Sequence, residues 1–334
     1  MTALAPTNVT ALKYWKALNE GLAEEMDRDE RVVVFGEDVA IAGGAFGVTR
    51  GLRERFGDWR VRDTPISENG IVGLAVGSAA VGLRPVAEIM FMDFSLLALD
   101  QIVNQAAKYR YFSGRALPLV VRMMCGAGGQ HGAQHSQSLE AWFAQVPGLK
   151  VVLPSDAADA KGLLKSAIRE DDPVIVVETL GLLARRAAVA DDPETLVPIG
   201  VAATKREGTD VTVVAYGRLV AEALAAAELL AHEDVSVEVI DLRTVAPVDA
   251  ETIVRSVHKT GRLVVAHEAL APCGIGAEIC ALVMENAFDS LDAPIERVTP
   301  AFTNVPASRE LAQQRVPERD TVAQAVRRTL ERTL

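Results

Sequence analysis

An apolar stripe runs along the first part of the chain. Five large side chains recur there at steps of three or four residues: Leu12, Trp15, Leu18, Leu22 and Met26. This spacing places side chains on one face of an α-helix, so we predict a helix over residues 10–27.

Beyond this helix, short aliphatic runs alternate with helical patterns. Each run is largely unbroken, which is typical of strands covered on both faces. The predicted strands cover residues 32–35, 85–91, 117–124, 149–153, 173–178, 211–216, 235–242, 262–267 and 294–298. The predicted helices cover residues 70–83, 96–111, 138–145, 156–169, 218–231, 249–258, 274–288 and 319–332. This alternation predicts parallel, doubly wound sheets of the α/β class.

One stretch interrupts the alternation. Residues 186–208 contain several charges and two prolines without a strong period, so we predict a linker there. The 334 residues are about the length of two domains. We therefore predict two doubly wound α/β domains, at residues 1–185 and 209–334.

Charge and composition exclude some partners. The net charge of −11 and a pI near 5.1 argue against nucleic acid or an anionic membrane. No apolar run reaches the ~18–20 residues that a membrane helix needs. The first residues lack the basic and apolar regions of a secretory signal, and the three cysteines are scattered. We expect a reducing, cytoplasmic setting.

Glu68 is the first candidate for chemistry. It lies just before a predicted helix made of small and aliphatic residues. A glutamate in this position commonly interacts with the helix dipole or caps the helix. The functional alternative is a buried acid whose raised pKa lets it share a proton with a ligand.

Three further side chains have both a structural and a functional explanation. Glu37 follows the strand at 32–35, where open α/β sheets place ligands, although a solvated strand end is the simpler explanation. His135 lies on a Gly-rich loop and could shuttle protons near neutral pH. His131 is close to it, but without nearby carboxylates or thiolates we expect no metal pair. Phe94 is either a core aromatic or part of a binding wall.

Several familiar signatures are absent from the sequence. There is no Walker-type loop, no Gly-x-Gly-x-x-Gly after a strand and no Gly-x-Ser-x-Gly elbow. Nucleotide hydrolysis, a simple NAD site and a hydrolase of that type are therefore not supported. The residues alone predict a ligand site with an acid and a histidine, without naming a reaction.

Seven ordered segments resemble the β subunit of the thiamine-dependent first component of 2-oxo acid dehydrogenase complexes. They include Val-Phe-Gly-Glu-Asp, Asp-Thr-Pro-Ile-Ser-Glu and Ala-Gln-His-Ser-Gln-Ser. The segments lie at residues 34–40, 63–70, 82–85, 100–108, 133–143, 147–152 and 159–163. The second domain resembles the transketolase-type C-terminal domain of the same family.

The resemblance implies thiamine diphosphate as cofactor and assigns roles to five residues. Glu68 matches the glutamate that hydrogen-bonds the aminopyrimidine nitrogen, and Phe94 matches the aromatic that stacks on that ring. Met90 falls at a neighbouring wall position, and Glu37 matches an acid of the surrounding hydrogen-bond network. His135 matches a loop histidine that protonates a lipoyl sulfur or stabilises an oxyanion.

The resemblance also implies partners for this chain. The family binds magnesium and diphosphate with a Gly-Asp-Gly segment, but here Gly57 and Asp58 are followed by Trp59. A separate α subunit is therefore implied to hold Mg²⁺, within an α2β2 heterotetramer that works with a lipoyl-bearing transacylase. A structural K⁺ is further implied, held by main-chain carbonyls near Ala167, Ile168, Glu170 and Asp172.

The substrate is the least determined part of this prediction. Residues 90–100 and 125–128 resemble acetoin-cleaving members more than pyruvate-type members, so an acetoin dehydrogenase is favoured. Pyruvate or branched-chain 2-oxo acid oxidation is the alternative within the family. The alternative of another class is a non-catalytic scaffolding subunit, against which the presence of Glu68, Phe94 and His135 argues.

Overall fold

The computed structural model describes residues 9–332, which form two compact units. The first unit runs up to Cys125 and continues at Trp142–Ile199, and the second contains Gly126–Ala141 and the chain from Gly200 onward. Each unit has a largely parallel sheet with helices, which confirms the predicted α/β, doubly wound class. Part of the segment used to predict the absence of a secretory signal lies outside the described residues.

The first half of the chain alternates strands with helices and short helical turns. Its strands are β1 (Val9–Lys13), β2 (Val32–Gly36), β3 (Val61–Asp63), β4 (Arg84–Phe91), β5 (Val120–Cys125), β6 (Lys150–Val152), β7 (Val174–Thr179) and β8 (Arg186–Ala190). Its α-helices are α1 (Tyr14–Arg28), α2 (Leu52–Phe56), α3 (Glu68–Ala80), α4 (Tyr109–Ser113), α5 (Glu140–Ala144) and α6 (Ala157–Arg169). Met92–Ala98 and Leu180–Leu182 are 3-10 helices, and Asp100–Ala106 is π-helical.

The second half continues the alternation. Its strands are β9 (Ala203–Arg206), β10 (Val211–Ala215), β11 (Val237–Asp241), β12 (Thr244–Ala246), β13 (Leu263–Ala266) and β14 (Glu296–Val298). Its α-helices are α7 (Leu219–Ala231), α8 (Ala250–Thr260), α9 (Ile275–Ala287), α10 (Arg309–Arg315) and α11 (Arg319–Glu331), with a 3-10 turn at Phe288–Ser290.

The sheet of the first unit has a point where its connections diverge. Its strands lie in the order β6-β7-β5-β4-β2-β3 and are all parallel. Strand β2 lies between β3 and β4. The chain passes from β2 to its neighbour β3 and then crosses back to β4, the neighbour of β2 on the opposite side. Open α/β sheets bind ligands in the crevice beyond the carboxyl ends of such a pair. The ends of β2 and β4 are therefore the expected site.

The sheet of the second unit has a similar divergence. Its strands lie in the order β14-β13-β10-β11-β9, with β9 the antiparallel edge strand. From β10 the chain proceeds first to β11 and later to β13 on the opposite side. The carboxyl ends of β10 and β13 consequently form the corresponding crevice of this unit.

The predicted apolar stripe is part of the core of the first unit. Leu18, Leu22 and Met26 are buried on α1, which packs against α6. The helix begins at Tyr14 rather than at residue 10 because β1 pairs antiparallel with β8. In the described part of the chain, no helix combines the length and apolar character needed to cross a membrane.

Three regions differ from the sequence prediction. The segment 186–208, predicted to be a linker, contains β8 and β9, each paired with a strand distant in sequence. Residues 126–141, predicted inside the first domain, group with the second unit because their ends bond to it. The predicted helix at 96–111 is divided into 3-10, π- and α-helical pieces.

A glycine at a close backbone approach provides a test of this fold. Gly148 has φ +97°, and a Cβ there would overlap the carbonyl oxygen of Ala107. We expect Gly148→Ala to lower the free energy of unfolding by about 2–5 kcal/mol, from backbone strain plus overlap. Gly82 is the control, because its φ is +104° but no atom lies within 4 Å of a Cβ placed on it. Gly82→Ala should cost only about 1–2 kcal/mol in urea unfolding, and equal losses would contradict the packing argument.

Candidate functional site

The predicted site of the first unit lies where β2 and β4 end. These strands are adjacent and parallel, with Gly36 opposite Glu88. A Cβ on Gly36 would lie 2.7 Å from the Glu88 carbonyl oxygen, so a side chain at this position would force the strands apart. Glu37 follows β2 directly, and Met90 lies near the end of β4. Strand pairing therefore places both predicted residues at one edge of the sheet.

Glu68 is a buried carboxylate at the start of α3. It is only 6% exposed, and its side chain makes no hydrogen bond or ion pair with any other residue in the range 9–332. Helix α3 packs against the 3-10 helix Met92–Ala98, which carries Phe94. An unpaired buried charge is costly, so this carboxyl group has the character of a ligand-binding group.

Glu37 lies close enough to Glu68 for their charges to interact. Burial raises the pKa of Glu37, and the negative charges of Glu68, Asp38 and Glu88 raise it further. The Glu37 side chain likewise makes no hydrogen bond within the described part of the chain. The structure thus brings together two carboxyl groups that lack a hydrogen-bond partner in the described chain, and the pKa of one of them, Glu37, is raised.

Aromatic rings and a methionine line the same end of the sheet. The half-buried Phe94 ring packs edge-on against Phe91, with 6.1 Å between centroids, and Phe91 packs edge-on against Phe46 at 5.4 Å. Met90 is half-buried and lines a small cavity that Phe46 also lines. These side chains form an apolar surface suited to a flat ring.

A buried ionic triad that the sequence did not predict lies beside this surface. Arg122 on β5 lies between Glu88 on β4, at 2.7 Å, and Glu178 on β7, at 2.7 and 2.9 Å. Burial raises the pKa of Glu178 despite the guanidinium, while the two carboxylates raise the pKa of Arg122 against its burial. The sequence does contain a signal for this triad, because each of its three charged residues interrupts an otherwise aliphatic strand.

His135 belongs to the second unit, on a loop that is held at both ends. The Ala127 N–H donates to Glu268 Oε1 at 2.7 Å, and the Tyr216 hydroxyl donates to Glu140 Oε1 at 2.8 Å. The His135 ring is half-buried, 6.5 Å from the ring of His131. No group of three or more His, Cys, Asp or Glu residues suited to a metal ion occurs within residues 9–332.

Glu268 is the buried acid that anchors the first end of this loop. Burial raises its pKa to about 7, and Glu140 adds to the increase. The charge of Arg218 and the Ala127 N–H oppose the increase, followed by Arg315. Its second oxygen, Oε2, has no hydrogen-bond partner among the described residues. Protonation of Glu268 therefore changes near neutral pH.

The predicted potassium segment already contacts an arginine. Arg84 donates to the carbonyl oxygen of Ile168 at 2.8 Å and to that of Glu170 at 2.6 Å. The Ala167 carbonyl accepts the Glu170 N–H, and Asp172 forms an ion pair with Arg110. The segment therefore offers carbonyl oxygens that could be cation ligands. Two of them already accept hydrogen bonds from the Arg84 guanidinium.

Glu268 gives a prediction about pH. Because its folded pKa of about 7 exceeds the ordinary 4.5, its contribution to stability is full below pH 4.5 and is lost as pH rises through 7. We expect the stability of Glu268→Gln relative to wild type to rise by about 3 kcal/mol between pH 4 and pH 8. Calorimetric unfolding at both pH values measures this difference.

The difference between variant and wild type is the proper measure because a neighbour acts in the opposite direction. Burial lowers the pKa of His267 to about 4, so its contribution to stability is lost as pH falls from 6.5 through 4. Both proteins contain His267, so its effect cancels in the comparison. A difference that does not change with pH would contradict the proposed burial of Glu268 as a neutral acid.

Two family descriptions match most of this chain. Residues 10–185 match the family described as "Transketolase, pyrimidine binding domain". Residues 200–322 match "Transketolase, C-terminal domain". A split-gene transketolase, described as an inactive β4 tetramer, has a similar fold, with a TM-score of 0.80 at 24% identity. That comparison covers 96% of this chain and 98% of the other.

Named relatives are similar along nearly their whole length. A mitochondrial pyruvate dehydrogenase E1 subunit beta from Dictyostelium discoideum is 47% identical, covering 95% of this chain and 90% of the relative. The corresponding subunit from Bos taurus is 46% identical, covering 98% and 92%. An acetoin:2,6-dichlorophenolindophenol oxidoreductase subunit beta from Cupriavidus necator is also 46% identical, covering 94% and 96%. The chain therefore belongs to the family of thiamine-diphosphate-dependent pyruvate and acetoin dehydrogenase β subunits.

Proposed function

We propose that this chain binds the aminopyrimidine half of thiamine diphosphate and forms a complete enzyme with an α subunit. The enzyme cleaves the bond to a carbonyl carbon of acetoin or a 2-oxo acid and transfers the resulting unit to a lipoyl acceptor. The observation that carries this proposal is the buried, unpaired carboxyl group of Glu68 at the β2–β4 crevice. A ring nitrogen of the cofactor would supply its missing hydrogen-bond partner.

The residues of the crevice have complementary roles in this proposal. The bound cofactor supplies the electron sink for cleavage next to a carbonyl group. Glu68 holds a proton at the ring nitrogen, and burial together with the negative charge of Glu68 raises the pKa of the neighbouring Glu37. Phe94 and Met90 provide the apolar wall that orients the flat ring and excludes water.

The outer face of α3 supports an α subunit as partner. Leu74 is 50% exposed and Val81, directly after the helix, is 82% exposed, while nothing lies within 4 Å of a Cβ placed on Gly77. Ile66, which precedes the helix, is also 82% exposed. Such an apolar surface favours a protein interface, and it begins beside Glu68. We propose an α2β2 assembly in which the α subunit holds Mg²⁺ and diphosphate.

His135 is the proposed contact with the lipoyl arm of a transacylase. The charged imidazolium can protonate a sulfur atom, and an imidazole N–H can donate a hydrogen bond to an oxyanion. The bonds from Ala127 and Tyr216 to buried glutamates would keep its loop in position. A cytoplasmic location also remains a proposal, supported by the scattered cysteines.

The favoured substrate of this proposal is acetoin. Residues 90–100 and 125–128 resemble those of acetoin-cleaving members. The identities of 47% and 46% to the pyruvate- and acetoin-type relatives do not rank the two substrates. Pyruvate and branched-chain 2-oxo acids therefore belong in the same assay.

The central test compares wild type with Glu68→Gln after co-expression with the α subunit. Turnover is measured with acetoin, pyruvate and a branched-chain 2-oxo acid, using an artificial electron acceptor. We expect Glu68→Gln to assemble normally and to lose about 10²–10⁴-fold in kcat, because the amide cannot carry the proton. Glu54→Gln is the matched control, since Glu54 also lies in a first helical turn but is exposed. It should retain wild-type turnover.

Calorimetric titration with thiamine diphosphate and Mg²⁺ tests the shared cofactor site. Binding is expected for the α–β pair and not for the isolated chain. Micromolar binding by the isolated chain would refute the two-chain site, and unchanged turnover of Glu68→Gln would refute the proton role. An assembled wild-type pair that binds no cofactor would favour the scaffolding alternative.

We also propose that K⁺ binds main-chain carbonyls around residues 167–172, where two of the carbonyls also accept hydrogen bonds from Arg84. The all-oxygen donor set supports a hard cation, although no step of the reaction needs it. Replacing NaCl by KCl at equal ionic strength should raise the melting temperature by about 1–2 °C. The expected shift corresponds to about 1 kcal/mol of preferential binding. Equal melting temperatures in the two salts would show that K⁺ does not bind these carbonyls in preference to Na⁺.

A further inference from the structure

The second unit contains a cavity at the divergence of its own sheet connections. Arg218 follows β10 and precedes α7, at the carboxyl edge of the sheet. It lines a cavity of about 380 Å³ together with residues of the loop 126–141 and of α10. This volume lies within the range of small-molecule sites, and the position is where open α/β sheets bind ligands.

The cavity lining contains cationic and amide side chains. Arg218 and Arg309 contribute two guanidinium groups, and Gln130 and Gln313 contribute two side-chain amides. Glu318 is the one carboxylate of the lining, so positive charge predominates. The remaining side chains are small and apolar: Ala127, Ala312 and Val316.

The two arginines differ from their neighbours in lacking acceptors. Within residues 9–332, neither Arg218 nor Arg309 makes a hydrogen bond or ion pair, and Arg218 Nε is buried without a partner. By contrast, Arg315 donates to the carbonyl oxygen of Thr303, and Arg328 pairs with Glu296. A buried donor without an acceptor is unfavourable. The lack of an acceptor for Arg218 Nε therefore favours a ligand that supplies one.

We propose that this cavity binds a small organic anion, with its carboxylate or phosphate group between Arg218 and Arg309. A guanidinium matches either group through two parallel hydrogen bonds. Gln130 and Gln313 add donors for the remaining oxygens, and the apolar residues accommodate a short carbon chain. A ligand of a few carbon atoms with one or two anionic groups fits this cavity.

Ligand binding would act on the loop that carries His135. Ala127 lines the cavity and also donates the backbone hydrogen bond to Glu268 at the base of that loop. An anion at Arg218 therefore sits next to this anchor. This anion site is additional to the aminopyrimidine site. Its binding of an anion does not depend on which carbonyl substrate the enzyme cleaves.

The experiment is a titration of the full-length chain, alone and in complex with its α subunit. The probes are succinate, butyrate, glycerol 3-phosphate and inorganic phosphate, with succinamide as the neutral analogue. Binding is followed by calorimetry at constant ionic strength. Arg218→Gln and Arg309→Gln remove one charge each, and Arg255→Gln is the matched control on an exposed helix face. Melting temperatures without ligand identify any variant that does not fold.

We expect at least one anion to bind both preparations, with no binding of succinamide. Each cavity variant should weaken that binding about tenfold or more, while Arg255→Gln leaves it unchanged. The relative affinities of succinate and glycerol 3-phosphate distinguish a carboxylate from a phosphate ester. If Arg218→Gln does not fold, Arg309→Gln, at an exposed position, carries the test alone.

Three results would overturn the proposal. One is the absence of binding by every anion up to about 10 mM, the range of a very weak complex. Another is equal affinity of wild type and a folded cavity variant. The third is binding by the isolated chain that disappears in the complex, because a carboxylate of the α subunit would then be the natural partner of these arginines.

Discussion

The parallel pairing of β2 with β4 is the constraint on which the candidate site depends. Backbone hydrogen bonds hold Gly36 opposite Glu88, at a separation that a side chain on Gly36 would not permit. Because the connections leave these strands in opposite directions, the space beyond their carboxyl ends stays open. Glu37 follows one strand directly, and the helix that carries Phe94 follows the other. Local backbone geometry thus determines the position of the crevice in which we propose that the aminopyrimidine binds.

The charged groups around this crevice are of two kinds, those paired with one another and those without a partner in the described chain. Arg122 is enclosed by Glu88 and Glu178, so three buried charges satisfy one another inside the sheet. The buried Glu68 and the half-buried Glu37 have no such partner within the described chain. Paired burial is compatible with a structural role, whereas unpaired burial raises the free energy of the unliganded protein. A ligand that donates to these oxygens recovers part of that free energy on binding.

The second unit repeats the same arrangement with different side chains. Its divergence lies between β10 and β13, and these strands are followed by Arg218 and by Glu268. Both units therefore place titratable or charged groups at the carboxyl edge of a parallel sheet. In the second unit, one such group anchors the loop of His135 and another lines the cavity. The fold accounts for the positions of these groups, and the side chains determine their chemistry.

The sequence by itself determined the α/β class, most strands and helices, and the family. Periodicity and unbroken aliphatic runs report local conformation and burial, which depend on neighbouring residues. The ordered motifs also identified Glu37, Glu68, Met90, Phe94 and His135 as candidates. Their roles remain predictions. Only the tertiary structure showed that Glu37 and Glu68 interact and that Arg122 joins Glu88 to Glu178. It also showed that residues 126–141 belong to the second unit and that β1 pairs with β8. These features join residues far apart in sequence, and pairing at such distances leaves no local pattern to detect.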